Sequence, residues 1–175
     1  VAGILPSNSS DSLLNKVIIC RGDHQFVPFE FINDEGEPDG FTVEVFRKLM
    51  KNLGLRYELA LDDWTVVQDQ LAAKEIDVAI GMIYSPERSR NCLFGMPYCT
   101  LSFNIISRNG SGFNTLDGLK GKRIIVQNKD RAHEYLLETN LTYSIIPVSS
   151  ILAGMDLLSS GRGDALLSYD LTSYY

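Results

Sequence analysis

The sequence predicts a mixed α/β protein made of two successive units. Three observations carry that expectation. Short β-branched runs alternate with helix-period stretches, the alternation starts afresh after Asn114, and a glycine-marked extended run separates the two series. The expected layout is a flexible lead-in over residues 1–15, a first lobe over 16–108 and a second over 109–175, with a hinge between Leu101 and Gly112.

In chain order, Ser7-Asn8-Ser9-Ser10-Asp11-Ser12 is too polar to pack. Val17-Ile18-Ile19-Cys20 reads as a buried strand that stops at Arg21-Gly22-Asp23. Phe29-Glu30-Phe31-Ile32 leads into Asn33-Asp34-Glu35-Gly36, residues that tolerate the positive φ of a reversal. Val43, Phe46, Met50 and Leu53 then recur at helical spacing, with Thr42 as the expected cap and Gly54 where a left-handed residue ends a helix. A strand is expected over 56–61 and a helix over 66–73, with Asp62 and Asp63 at its positive end. Residues 76–81 are apolar almost throughout, as a parallel strand covered on both faces requires.

The second series predicts strands over 124–126, 144–148 and 165–168, and helices over 133–139 and 151–160, the latter closed by Gly161. With 45% hydrophobic residues the 175-residue chain has enough apolar surface for a core without metal or disulfide staples. Sixteen Lys and Arg stand against twenty-two Asp and Glu, a net charge of -6, which argues against nucleic acid and anionic membranes as partners. No apolar run reaches the roughly 18 residues a spanning helix needs. Cys20, Cys92 and Cys99 cannot all pair within one chain, and buried or semi-buried thiols are favoured over a disulfide. Phosphate-loop, metal-ligand and Ser-His-Asp patterns are lacking, so neither cofactor nor metal is expected.

A set of motifs in fixed order adds a resemblance. Val27-Pro28-Phe29, Gly40-Phe41-Thr42-Val43-Glu44, Trp64, Ile76-Asp77-Val78-Ala79-Ile80-Gly81, Ser85-Pro86-Glu87-Arg88, Phe94-Gly95-Met96-Pro97-Tyr98 and Leu116-Asp117-Gly118-Leu119-Lys120-Gly121-Lys122 follow one another along the chain. From about Lys16 onward it resembles the type 2 periplasmic solute-binding fold of bacterial polar amino-acid receptors. The resemblance implies two α/β lobes that close on a small ligand by hinge motion. It also implies that the second lobe and the return to the first are incomplete here, leaving apolar surface open to self-association.

The resemblance implies a site as well. Arg88 matches the arginine that clamps a ligand carboxylate, a task suited to a forked guanidinium, against the plainer reading of a solvated surface arginine. Ser85 stands where relatives usually have Thr and is either a hydroxyl donor or a turn cap. Phe29, Trp64 and Phe26 are candidate apolar walls, or simply core. Asp23 and His24 follow the first strand, at the end where open α/β sheets place ligands. In the second lobe Asn128-Lys129-Asp130-Arg131 replaces the family's Gly-Ser/Thr-Thr, so the helix amides there serve either an anion or Asp130 itself as cap. The family's amine-binding acid falls on Tyr169, with Asp170 one residue late, so that partner stays unassigned.

The expected function is an extracytoplasmic, periplasmic module that closes on a small polar ligand, amino-acid-like or another small carboxylate. The stretch from Lys129 to Leu136 resembles the sensor regions of membrane-bound histidine kinases, which places the sensory input of such a kinase first. A free receptor delivering to the permease of an ABC importer comes second. A cyclohexadienyl dehydratase-like enzyme comes last, with His133 and Glu134 as its proposed acid and base.

Overall fold

The computed structural model describes residues 2–3, 15–113, 115–139 and 142–174. The chain divides into two compact units, Val1–Tyr98 and Cys99–Tyr175. The first contains β1 (Ala2–Gly3), β2 (Val17–Asp23), β3 (Gln25–Phe26), β4 (Glu30–Ile32), β5 (Pro38–Asp39), α1 (Phe41–Leu53), β6 (Arg56–Asp62), α2 (Trp64–Ala72), β7 (Val78–Ala79) and β8 (Leu93–Phe94). The second contains β9 (Phe103–Ser107), β10 (Arg123–Gln127), α3 (Arg131–Glu138), β11 (Ser144–Val148), α4 (Ile151–Ser159) and β12 (Ala165–Tyr169).

In the first unit a five-stranded sheet runs β6-β2-β7-β1-β8, with β2 parallel to both β6 and β7. Alternation along β2 sends Ile18 and Cys20 to one face, where Val43, Phe46, Met50 and Ile80 cover them. On the other face Trp64, Val67 and Leu71 of α2 pack on Ile76, Ala79 and Met82, with Ile19 beside them. Each large side chain buried in this way is worth about 1.5–3 kcal/mol. Gly54 takes φ 65 and donates its N–H to the Lys51 carbonyl, closing α1 as expected.

The second unit has the sheet order β11-β10-β12-β9, with β10 parallel to β11 and β12 and β9 antiparallel to β12. Ile124, Ile125 and Val126 are all fully buried because the strand is covered twice. Ile124 and Val126 meet Ala132 and Leu136 of α3, whereas Ile125 meets Ile151 and Leu158 of α4.

Several elements differ from expectation. The extended run expected as the hinge is β9, paired along its length with β12, so the division falls earlier, between Tyr98 and Cys99. Gly110 and Gly112, both at positive φ, form the turn that follows β9. Ala2 and Gly3 pair with β7 and β8, ahead of the start of order expected near Lys16, and the rest of the expected lead-in lies largely outside the described residues. Thr42 is not the cap of α1, because the helix begins at Phe41 behind Gly40. The long apolar strand expected over 76–81 is only two residues, β7, flanked by single bonds from Asp77 N–H to the Ile19 carbonyl and from Ile80 N–H to the Arg21 carbonyl. All three cysteines are free thiols, Cys20 buried and Cys99 exposed.

Candidate functional site

Because β6, β2 and β7 run parallel, their C-terminal ends share one edge of the first sheet. Asp23 ends β2 opposite Asp62 of β6, Trp64 opens α2 two residues beyond β6, and the segment from Gly81 to Arg88 leaves β7. Asp23, Trp64, Ser85 and Arg88 therefore stand on the side of the sheet where open α/β folds place ligands.

The guanidinium carbon of Arg88 lies 5.8 Å from the centre of the Trp64 ring, and Arg88 Nη1 donates to the Ile83 carbonyl at 2.9 Å. One arm of the fork is thus held by the chain, and the cation lies within cation–π range of the indole. Ser85 is buried, and its Oγ accepts the Arg88 backbone N–H at 3.1 Å. The hydroxyl thus holds the first backbone N–H of the short turn Arg88–Arg90, whose N-cap is Glu87, and serves the arginine's placement whatever its proton does. Trp64 is itself 6% exposed and belongs to the core under α2, so its ring is both core and platform.

Phe26 and Phe29 are buried with ring centres 5.0 Å apart; Phe41 meets Phe29 at 6.4 Å and Tyr98 at 5.9 Å. They form a second, aromatic group in the same unit. Asp23 is buried and its Oδ1 accepts the Gln25 N–H at 2.9 Å. His24 Nδ1 lies 4.0 Å from Asp23 and 3.7 Å from Asp63, which makes it an acid-flanked loop histidine.

Glu30, which the sequence reading passed over, is 1% exposed beneath this edge. Burial, the largest influence, drives its carboxyl well above the usual range; the Asp23 backbone N–H pulls it down and the Asp23 charge pushes it up again. The only signal for it in the sequence is a pair of glycines, Gly22 and Gly81, at adjacent strand ends.

The second unit arranges its own parallel strand ends differently. Asp130 is the N-cap of α3, its Oδ1 accepting from the Ala132 N–H and from the Tyr169 hydroxyl. The cap alternative is the one the structure shows. Tyr169 is buried, with its ring stacked 5.7 Å from that of Phe103, which lies 5.0 Å from Tyr135. Asp170 turns into its own loop, Oδ1 accepting from the Leu171 N–H at 2.9 Å. The proposed acid-base pair is tied into the first turn of α3. His133 Nδ1 accepts the Lys129 N–H at 3.2 Å, and Glu134 lies 3.7 Å from Arg131. Burial lowers the His133 pKa.

Among the described residues no group of three His, Cys, Asp or Glu side chains could hold a metal, and no helix is long and apolar enough to cross a membrane. The sequence profile of bacterial extracellular solute-binding proteins, family 3, matches residues 18–167. The chain belongs to that family. The L-cystine-binding protein TcyJ of Escherichia coli is 30% identical over 176 residues, covering 95% of this chain and 66% of TcyJ. The arginine-binding extracellular protein ArtP of Bacillus subtilis is 33% identical over 123 residues, covering 69% of this chain and 48% of ArtP. Among solved structures, a histidine kinase sensor domain with similarity to periplasmic binding proteins matches with TM-score 0.86 and 25% identity, covering 93% of this chain and 72% of its own. Holo ArgBP from T. maritima matches with TM-score 0.81 and 25% identity, over 90% of this chain and 71% of its own. The fold is accordingly the α/β, type 2 periplasmic-binding-protein-like one, and the relatives are binding proteins rather than enzymes.

Proposed function

We propose that this chain is the ligand-binding part of an extracytoplasmic, periplasmic amino-acid receptor, in which Arg88 takes the ligand's carboxylate. The observation that carries the reading is the Arg88 guanidinium beside the Trp64 ring and held by the Ile83 carbonyl, with the Arg88 backbone N–H on Ser85, at the C-terminal edge of the first sheet. A charged fork oriented in advance loses less entropy on binding than a free surface arginine. Cystine- and arginine-binding proteins among the relatives support an amino acid as the ligand class.

For the parent protein, likeness to a histidine kinase sensor domain supports the sensory input of a membrane-anchored kinase, in which ligand shifts a two-state equilibrium. Likeness to TcyJ and ArtP supports a second reading, a receptor serving the permease of an ABC importer. A kinase region or a permease partner encoded with the parent gene distinguishes the two.

Thermal-shift measurements with the common L-amino acids and L-cystine, followed by calorimetry on any hit, test the ligand class. Saturable stabilisation by at least one amino acid is expected. Stabilisation by none of them, or only by non-carboxylate solutes, would overturn the reading.

A further inference from the structure

We propose that Glu30 is a positioning residue for the site described above, a wedge between the ends of β2 and β7 that sets Asp23 and the segment reaching Arg88 at their working spacing. The proposal rests on the amino-acid-receptor reading for its functional consequence and on geometry for its placement. Glu30 opens β4, where its backbone pairs with Phe26, and its side chain passes beneath the parallel sheet edge. A Cβ on Gly22 would strike Glu30 Oε2, and one on Gly81 would strike Oε1. The two glycines therefore form a slot that the carboxyl fills, and Gly81 also takes φ 68, a conformation that side-chain-bearing residues rarely adopt.

The neighbours of the slot are the residues that matter. Gly22 precedes Asp23, the buried residue that ends β2. Gly81 follows Ile80, whose N–H donates to the Arg21 carbonyl at 2.9 Å, and precedes the segment that holds Ile83, Ser85 and Arg88. Pushing on the slot thus moves both sides of the strand edge. Glu30 Oε2 is buried with no hydrogen-bond partner, an arrangement that costs stability and is hard to account for as packing alone. An apolar residue of similar bulk would fill the space without that cost, so the specific contribution of Glu30 is the polar head it places between the two glycines.

The test uses amide hydrogen exchange on the 175-residue chain without ligand, followed by calorimetry with L-arginine and L-cystine. Glu30→Gln keeps shape and hydrogen bonding, whereas Glu30→Leu keeps bulk alone. The Gln variant should leave exchange at Asp23, Ile80 and Ser89 within about twofold of wild type, and the Leu variant should accelerate it at least about tenfold there while sparing α1. Affinity should follow, within about threefold of wild type for Gln and at least about tenfold weaker for Leu, the latter equal to about 1.4 kcal/mol. Should Glu30→Leu fail to fold, Glu30→Asp, one methylene shorter, is read at the same amides and should show the same acceleration. Unchanged exchange at those amides, or uniform acceleration through the whole first unit, would overturn the proposal. If wild type binds neither amino acid, the amino-acid reading fails while the exchange result still decides whether Glu30 positions the edge.

Discussion

Both units place candidate residues at the C-terminal ends of parallel strands, yet they differ in which polar groups their own side chains occupy. In the first unit Arg88 lies beside the Trp64 ring with one nitrogen held by the Ile83 carbonyl, so a cation sits at the strand ends. In the second, the N-terminus of α3 is capped by Asp130, which also takes the Tyr169 hydroxyl. A carboxylate brought to that helix would meet a carboxyl group already in place. This contrast supports the proposal that anion capture belongs to the first unit, while one acidic residue turns the matching strand-end position of the second into an internal brace.

The largest effect expected from breaking the comparison is at Trp64. Trp64→Ala should cost about 3–5 kcal/mol of stability, because it empties a core site and removes the platform of Arg88. Chemical denaturation should show the loss confined to the first unit's transition; equal loss in both units would show that they do not respond separately.

Next comes the brace of the second unit. Asp130→Ala removes the α3 cap, worth about 0.5–2 kcal/mol, and leaves the buried Tyr169 hydroxyl without this acceptor. Denaturation should place the total near 1–3 kcal/mol, with Asp130→Asn costing less because Asn still caps. Identical stabilities for wild type and Asp130→Ala would remove the brace from the account.

The smallest effect is electrostatic. Asp164 is bound by the backbone and guanidinium of Arg123, which lower its pKa to about 2, from about 3.9 when unfolded. A lowered folded pKa gives stability that is present above about pH 3.9 and lost as pH falls through about 2. Because the pair is partly exposed, water and salt screen it. Acid titration of wild type and Asp164→Asn should show a small advantage for wild type at pH 5 that vanishes by about pH 2; a constant difference would show that the contact acts by shape instead.

The legible parts of the chain are those where one period dominates. Val43, Phe46 and Met50 announce α1, and the doubly buried triplet Ile124-Ile125-Val126 announces a strand under two helices. The two-residue strands β1, β3 and β8 are too short to carry a period, so only the sheet they join defines them. Gly110 and Gly112 announce a turn correctly, but whether a turn separates units depends on which sheet takes the preceding strand. At the candidate site, Arg88 was visible as a residue type in a motif, whereas its contact with Trp64 joins residues far apart in sequence. Glu30 was invisible because a carboxylate between two aromatics reads as the outward position of a strand, and only Gly22 and Gly81 across the fold make room for it inward.

In the proposed function Arg88, and not the α3 terminus, captures the ligand carboxylate. Calorimetric titration of wild type, Arg88→Ala and Asp130→Asn with L-arginine and L-cystine tests it most directly. Arg88→Ala is expected to weaken binding by about 2–5 kcal/mol, roughly thirtyfold or more, while Asp130→Asn stays within about threefold of wild type. Unchanged affinity in Arg88→Ala, or a larger loss in Asp130→Asn than in Arg88→Ala, would contradict it.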